Sequence, residues 1–221
     1  SDWINGIKVV KMPLQKPVLR KDGQRLQEIN IRSQPYDMGK EGFFDDIFEG
    51  IKSNRFTCTS EIRELLYYFE GVLFGNRIVK PLVMSNESVG IVDRYVLSFL
   101  SYGPLNGIPV ERIKYLTQSM PWPNLYFFID VPPEVTADRI RKYRKVALPE
   151  VGFKNALVSD EETNINNFIV HQKKVYDNFH RAIEMYQKEG MQVIIIDGNQ
   201  PQNKITDSTV SYTHLTLPTI A

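Results

Sequence analysis

Two polar residues directly follow an apolar run near the middle of the sequence. Asp93 and Arg94 come after Val89-Gly90-Ile91-Val92, a run that is too short for a helix and is typical of a buried parallel strand. At a strand end, a carboxylate can orient Mg²⁺, usually through water, and an adjacent guanidinium can bind two phosphate oxygens. The pair therefore predicts a site for a phosphorylated ligand and a metal ion. A strand-end salt bridge is the alternative that the pair alone leaves open.

A second concentration of charge lies between Arg139 and Lys145. Five cationic side chains fall within this one segment, Arg139-Ile140-Arg141-Lys142-Tyr143-Arg144-Lys145. Phosphoryl transfer spreads negative charge over equatorial oxygens, and a mobile cationic lid stabilises that charge while excluding water. The segment predicts such a lid, with either Arg141 or Arg144 directed inward. A solvated basic helix face is the other interpretation.

The elements that must position these residues alternate between apolar strands and amphipathic helices. The sequence predicts strands at 7–10, 89–92, 125–129 and 193–196, and helices at 41–54, 59–83, 96–101, 110–119, 135–145 and 160–188. Without hairpin signals between the strands, this order favours an α/β fold whose parallel sheet is covered by helices on both faces.

In such a sheet, ligands bind beyond the carboxyl ends of the strands. Four residues mark those ends in this sequence: Pro13, Asp93, Asp130 and Asp197. The strand ends therefore define the candidate site.

Within the helix predicted at 59–83, Thr59 is a candidate N-cap and Pro81 marks a bend or an end.

The composition excludes several classes of protein. The 221 residues suit one domain, and 27 basic against 26 acidic residues give a net charge of +1, so anion binding depends on local clusters. A single cysteine, Cys58, suits a reducing compartment. No apolar run reaches the roughly 20 residues that a membrane helix needs. We expect a cytoplasmic protein that binds small molecules rather than nucleic acid or membranes. His171 and His180 lack metal-ligand spacing, and we expect them at the surface or the core edge.

Both ends of the chain indicate an incomplete reading frame. Ser1 to Gly6 is typical of the last turn of a helix that leads into a strand, so we expect further sequence upstream. Val210 to Thr219 matches the in-frame translation of a common sequencing adapter. We interpret 209–221 as a non-native tail, in which His214 has no function, and 1–208 as the domain. A β-prone native tail is the alternative.

The segment from Asp93 to Tyr102 resembles the Asp-Arg-Tyr segment of the thymidylate kinase family, because it runs Asp-Arg-Tyr-Val-Leu-Ser-Phe-Leu-Ser-Tyr. The resemblance implies that Arg94 binds the acceptor nucleotide's phosphate and that Asp93 supports Mg²⁺ or the arginine network. It also implies that Ser98 and Tyr102 lie along the acceptor pocket. Gly103 stands where the bacterial family usually has Gln, so the amide expected on the thymine side is missing.

A helix end upstream resembles the same family. Leu73-Phe74-Gly75-Asn76-Arg77 is similar to the apolar helix that ends in Ala-Asn-Arg or Ala-Asp-Arg. The resemblance implies that Arg77 reaches the acceptor base and that an aromatic ring stacks on it. Phe74 is the first candidate for that ring and Phe69 the second, while a core position is the alternative for either.

Two segments downstream complete the resemblance. The run from Phe128 to Ile140 resembles the family's strand and lid entry. Ile196-Asp197-Gly198-Asn199-Gln200 resembles the segment after the last strand. There the resemblance implies that backbone groups of Asp197, Gly198, Asn199 and Gln200 line the adenine of the donor.

Together, the resemblance implies a P-loop kinase-like fold and transfer of the γ-phosphoryl group of ATP to dTMP, with Mg²⁺, giving dTDP. No Gly-x-x-x-x-Gly-Lys-Ser/Thr motif occurs in the sequence. We therefore expect the donor-phosphate loop and the first, central strand to be missing, and residues 1–208 alone to be inactive and poorly stable. The alternatives are a kinase for another deoxynucleoside monophosphate and a non-catalytic nucleotide-binding module. The resemblance also implies a possible homodimer.

Overall fold

The computed structural model describes residues 58–84, 88–89, 92, 94–152 and 157–216, together with positions 12–13, 47, 50 and 55. The chain divides into two compact units. The first consists of Ser1–Val96 and Glu111–Pro121, and the second of Leu97–Val110 and Trp122–Ala221.

The first unit is built on a helix that changes its pitch. Helix α1, Ser60–Phe74, continues through a π-helical turn at Gly75–Val79 into helix α2, Lys80–Met84. The helix predicted at 59–83 is thus confirmed, as is its N-cap, since Thr59 Oγ1 accepts the Ile62 N–H at 3.2 Å. The bend predicted at Pro81 corresponds to the π-helical turn that precedes this proline. Proline has no N–H to donate to the carbonyl four residues earlier and its ring collides with that carbonyl, a conflict that the wider turn relieves.

A short strand pair belongs to the same unit. Strand β1, Met12–Pro13, pairs antiparallel with strand β2, Ser88–Val89. A parallel arrangement was predicted throughout, and at this pair the prediction is wrong. Antiparallel strands form their hydrogen bonds in closely spaced pairs, so two residues on each strand suffice for a bridge, even where Pro13 contributes no donor. The strand predicted at 7–10 lies outside the described residues.

The second unit contains the parallel pair. Helix α3 (Val96–Tyr102) begins at the last residue of the first unit and continues in the second, and helix α4 (Val110–Thr117) lies almost wholly in the first unit. The other elements of the second unit are strand β3 (Tyr126–Asp130), helix α5 (Pro133–Tyr143), helix α6 (Glu161–Lys188), strand β4 (Val193–Asp197) and helix α7 (Gln202–Thr216). Strands β3 and β4 pair parallel from Tyr126 opposite Val193 to Asp130 opposite Asp197. The predicted α/β class is confirmed, and the carboxyl ends of both strands meet at one edge.

The core beside this sheet forms between helices α5 and α6. It contains six buried side chains, Ala137, Ile140, Val146, Val151, Ile165 and Phe168. Burial of each large apolar side chain contributes roughly 1.5–3 kcal/mol, so this cluster holds α5 against α6. Asp160 caps α6 by accepting the Thr163 N–H at 2.9 Å. In the part of the chain that the structure describes, no helix is both long enough and apolar enough to cross a membrane.

Candidate functional site

Arg94 has an unusual backbone. Its φ is 62°, which makes it the one non-glycine residue with positive φ among the described residues, and its side chain is exposed. The left-handed region costs an L-residue roughly 1–2 kcal/mol, and such strained positions cluster at functional sites. Asp93, the predicted metal residue, lies outside the described residues.

Tyr95 packs against the π-helical turn. Tyr95 is 8% exposed, and its hydroxyl is buried with no hydrogen-bond partner within the described structure. This burial raises the pKa of the Tyr95 phenol far above its ordinary value. A Cβ placed on Gly75 would lie 3.0 Å from that hydroxyl oxygen and 3.2 Å from Met120 Cγ. Glycine at 75 therefore lets Tyr95, the neighbour of Arg94, approach the turn that carries Arg77.

We expect Gly75→Ala to destabilise the protein by about 1–3 kcal/mol, because the added methyl overpacks this contact. The free energy of unfolding from urea titration measures the effect. Tyr95→Phe removes the nearest obstructing atom and also a buried hydroxyl without a partner, so alone it should be neutral or slightly stabilising. In the Tyr95→Phe background, Gly75→Ala should cost less; an undiminished cost would show that the hydroxyl is not the obstacle.

The two aromatic candidates on helix α1 differ in accessibility. Phe74 is 1% exposed, whereas Phe69 is 53% exposed. The π-helical turn contains more residues per turn than an α-helix, which rotates exposed Arg77 back toward the face that carries Phe69. A ring must be accessible to stack on a base, so exposed Phe69 is the better candidate and buried Phe74 fits the core.

The remaining predicted acceptor residues belong to the second unit. Ser98 and Tyr102 are both partly buried on helix α3. The Tyr102 ring meets Phe179 edge to face, with centroids 6.2 Å apart. Asn178 Nδ2 donates to the Ser101 carbonyl at 2.9 Å and so fixes α3 to α6. The acceptor pocket that would combine these residues with Phe74, Arg77 and Arg94 stays a prediction.

Arg144, one of the two lid candidates, makes a two-pronged ion pair. Its Nη1 and Nη2 donate to Oε2 and Oε1 of Glu150 at 2.7 and 2.6 Å. The Glu150 side chain is only 1% exposed, and the Ala147 N–H also donates to it at 2.7 Å. Gln172 on α6 donates to the Glu150 carbonyl at 2.9 Å. The hydrogen bonds that Arg144 donates to Glu150 raise the pKa of Arg144 above its ordinary value.

Arg141, the other lid candidate, is paired at the surface. Its Nη2 lies 2.5 Å from Oε1 of Glu162, and its Nη1 lies 3.7 Å from Oδ1 of Asp138. Both carboxylates are mostly exposed. Exposed pairs of this kind are worth about 0–1 kcal/mol. The structure thus pairs Arg144 with a buried carboxylate and Arg141 with exposed ones.

The turn after strand β4 is held by its own side chains and by strand β3. Asp197 Oδ1 accepts the Asn199 N–H at 2.9 Å and its Oδ2 accepts Gln200 Nε2 at 2.8 Å. These bonds, that from Gln200 above all, lower the pKa of Asp197. The Gly198 N–H donates to the Asp130 carbonyl at 2.7 Å, and Arg139 on α5 donates to the Gly198 carbonyl at 2.8 Å. The predicted donor-base residues thus lie together, with Arg139 beside them.

A polar cluster under this edge was not predicted from the sequence. His180 Nε2 and Asp130 Oδ1 are 3.5 Å apart, and both atoms are buried. Burial and the neighbouring Asp130 carboxylate raise the pKa of Tyr176 to about 12. The cluster links α6 to the end of β3. Its only sequence signal was the position of Asp130 at a strand end, since Tyr176 and His180 lie on a distant helix.

Within the described part of the chain, no group of three or more His, Cys, Asp or Glu side chains could hold a metal ion. The other predicted histidine, His171, is partly buried beneath Gly152, and this burial lowers the pKa of its imidazole. Both histidines thus lie at the edge of the core.

Comparison with known proteins decides the family. A family model described as thymidylate kinase matches residues 44–209, which is most of the chain. The chain belongs to the thymidylate kinase family. All of the predicted acceptor, lid and donor-base residues, from Phe74 to Gln200, lie inside the matched span.

The sequence identities to individual members of the family are low. The chain is 27% identical over 146 residues to the thymidylate kinase of Lactobacillus acidophilus, covering 64% of this chain and 59% of the relative. It is 28% identical over 147 residues to the thymidylate kinase of Lactobacillus helveticus, covering 65% and 61%. It is 29% identical over 126 residues to a probable thymidylate kinase 2 of Saccharolobus solfataricus, covering 57% and 55%. The chain therefore spans about three-fifths of the length of these thymidylate kinases.

Proposed function

We propose that the protein to which this chain belongs transfers the γ-phosphoryl group of ATP to dTMP, giving ADP and dTDP. Membership of the thymidylate kinase family supports this proposal. The observation that carries it within the chain is Arg94, an exposed guanidinium held on strained backbone at the predicted strand edge. A planar guanidinium fork suits the two-oxygen face of a phosphate.

The roles proposed for the other residues rest on the family resemblance and, for Phe69, on its exposure. Arg94 holds the acceptor phosphate, Arg77 and Phe69 frame the base, and Tyr102 with Ser98 lines the sugar side. The turn from Asp197 to Gln200 receives the adenine of ATP. Mg²⁺ would be held by the donor phosphates, with Asp93 contributing a carboxylate directly or through water, since Mg²⁺ in such sites usually takes one or two carboxylates. The ion would neutralise charge on the transferring group. We also propose a cytoplasmic location and a homodimer.

The glycine at position 103 favours a second candidate function, in which the acceptor substrate is another deoxynucleoside monophosphate. Where bacterial relatives were expected to place Gln, this chain has a buried glycine that opens a tight turn, Gly103–Asn106, and its carbonyl accepts the Ile108 N–H at 3.0 Å. With no side-chain amide at this position, selection for thymine rests on other contacts. Binding of dTMP, dUMP, dGMP and dCMP by calorimetry distinguishes a dTMP kinase from a kinase for another deoxynucleoside monophosphate. A non-catalytic module would bind nucleotides in the intact protein without turning them over.

Arg94→Ala should weaken dTMP binding by about 10- to 100-fold, because hydrogen bonds to a charged group are worth about 1.5–3 kcal/mol. Calorimetric titration of the full chain measures this. Arg94→Lys keeps the charge but loses the fork, so its affinity should be intermediate.

Two controls separate binding from backbone strain. Arg94→Gly should be more stable than Arg94→Ala by about 1 kcal/mol, since glycine accepts the positive φ of 62°. Both should bind dTMP equally poorly. Thymidine, which has no phosphate, should bind all variants alike. Unchanged dTMP affinity in Arg94→Ala would sink the proposed role.

A further inference from the structure

The two lid arginines differ in what each would leave behind if it turned toward a phosphate. Arg144 is held by both oxygens of Glu150, whose side chain is 1% exposed. Without Arg144 that carboxylate would be buried without its cation, which is among the costliest changes in a protein interior. Arg144 therefore stays with Glu150 and anchors the segment that follows α5.

Arg141 is held by carboxylates that water can reach. Glu162 and Asp138, its partners at 2.5 and 3.7 Å, have side chains that are 63% and 70% exposed. Both are resolvated when Arg141 leaves, so the exchange costs little. A phosphate presents the same two-oxygen face as a carboxylate and carries more charge, which makes it a competent replacement.

We propose that Glu162 is a stand-in anion for Arg141: it holds this lid arginine until the phosphate chain of a nucleotide displaces it. The proposal rests on the proposed function, because it takes the basic segment as the lid over the transferring group. Arg141 touches the phosphoryl oxygens, and Glu162 is a positioning residue that acts through Arg141. Glu162 therefore weakens phosphate binding, because phosphate gains access only to the fraction of molecules in which Arg141 has been released.

Removal of the competing carboxylate should be visible as a gain of affinity. Glu162→Gln should tighten binding of inorganic tripolyphosphate to the full chain by about two- to five-fold in calorimetry at physiological salt, the range that an exposed pair corresponds to. Damage to the fold would not raise affinity. Glu161→Gln is the matched control, since it removes the same charge from the adjacent residue, whose partner is Lys145 at 3.8 Å. It should change the affinity by less than about two-fold.

The double variant decides whether the effect passes through Arg141. Arg141→Met should weaken tripolyphosphate binding about ten-fold, and Glu162→Gln should then add nothing. Equal gains from Glu161→Gln and Glu162→Gln, a gain that persists without Arg141, or no tripolyphosphate binding by any variant would each overturn the proposal. If dTMP binding through Arg94 survives such a result, this proposal alone has failed. Loss of both would remove the proposed function as well.

Discussion

Arg144→Met should lower the free energy of unfolding by about 2–3 kcal/mol. Removal of one partner from a buried ion pair costs about 3–5 kcal/mol, and we expect a value at or just below the lower end because the Arg144 side chain is 44% exposed and water can partly replace it. The cost arises at Glu150, which keeps the Ala147 N–H as a donor but loses both guanidinium bonds. Urea unfolding followed by circular dichroism measures it.

Two comparisons test this explanation. Arg141→Met removes an arginine of similar exposure from a surface pair and should cost less than about 1 kcal/mol. Arg144→Met combined with Glu150→Leu should recover most of the stability, because a buried pair can often be replaced by apolar residues without loss. About 1 kcal/mol should remain missing for the Ala147 N–H. Equal costs for Arg144→Met and Arg141→Met would contradict the importance of burial at Glu150.

Gly198→Val should destabilise the protein by about 3 kcal/mol and weaken ATP binding in the intact protein. A Cβ at this position would collide with Cγ2 of Val131, would lie 2.7 Å from Cγ2 of Ile129, and would approach the Asp130 backbone oxygen at 3.0 Å. Since one of these neighbours is backbone, a side-chain rotation cannot resolve the conflict. The turn must move, and with it both the N–H bond to Asp130 and the carbonyl that accepts from Arg139.

The matched control is a glycine with open space around it. Gly190 has a φ of 95°, and a Cβ there would meet nothing within 4 Å. Gly190→Val should cost only the strain of its backbone conformation, about 1–2 kcal/mol, and should leave ATP affinity unchanged. Thermal unfolding and nucleotide titration of the two variants compare these effects. If Gly198→Val were no more damaging than Gly190→Val, close packing at the turn would not be the constraint.

Local sequence signals predicted the elements well. The Thr59 cap, the long helix from Asp160 to Lys188 and the apolar run before Asp197 each reflect interactions between near neighbours. The structure therefore has them within a residue or two of the predicted positions. The same reasoning placed Asp130 and Asp197 at one edge, because parallel strands end at one edge, and the structure pairs these two residues.

Interactions between distant residues could not be predicted in this way. Glu150 is buried and is hydrogen-bonded by Arg144 and by Gln172 of a distant helix, and nothing near Pro149 in the sequence indicates this. Asp130 and His180 are brought together only when helix α6 packs on strand β3. The π-helical turn had a signal in Pro81, but a proline indicates a conflict without showing whether the helix stops, bends or widens.

The parallel pairing of β3 with β4 also predicts an order of folding. The two strands are joined by the long segment between Asp130 and Val193. Bringing the ends of that segment together early in folding would carry a large entropic cost. Packing of α5 on α6 shortens the effective loop and should come first. The turn at Gly198, fixed to β3 by one bond and to α5 by another, is then among the last parts to form. The adenine site proposed at this turn would therefore form only after β3, β4 and α5 have come together.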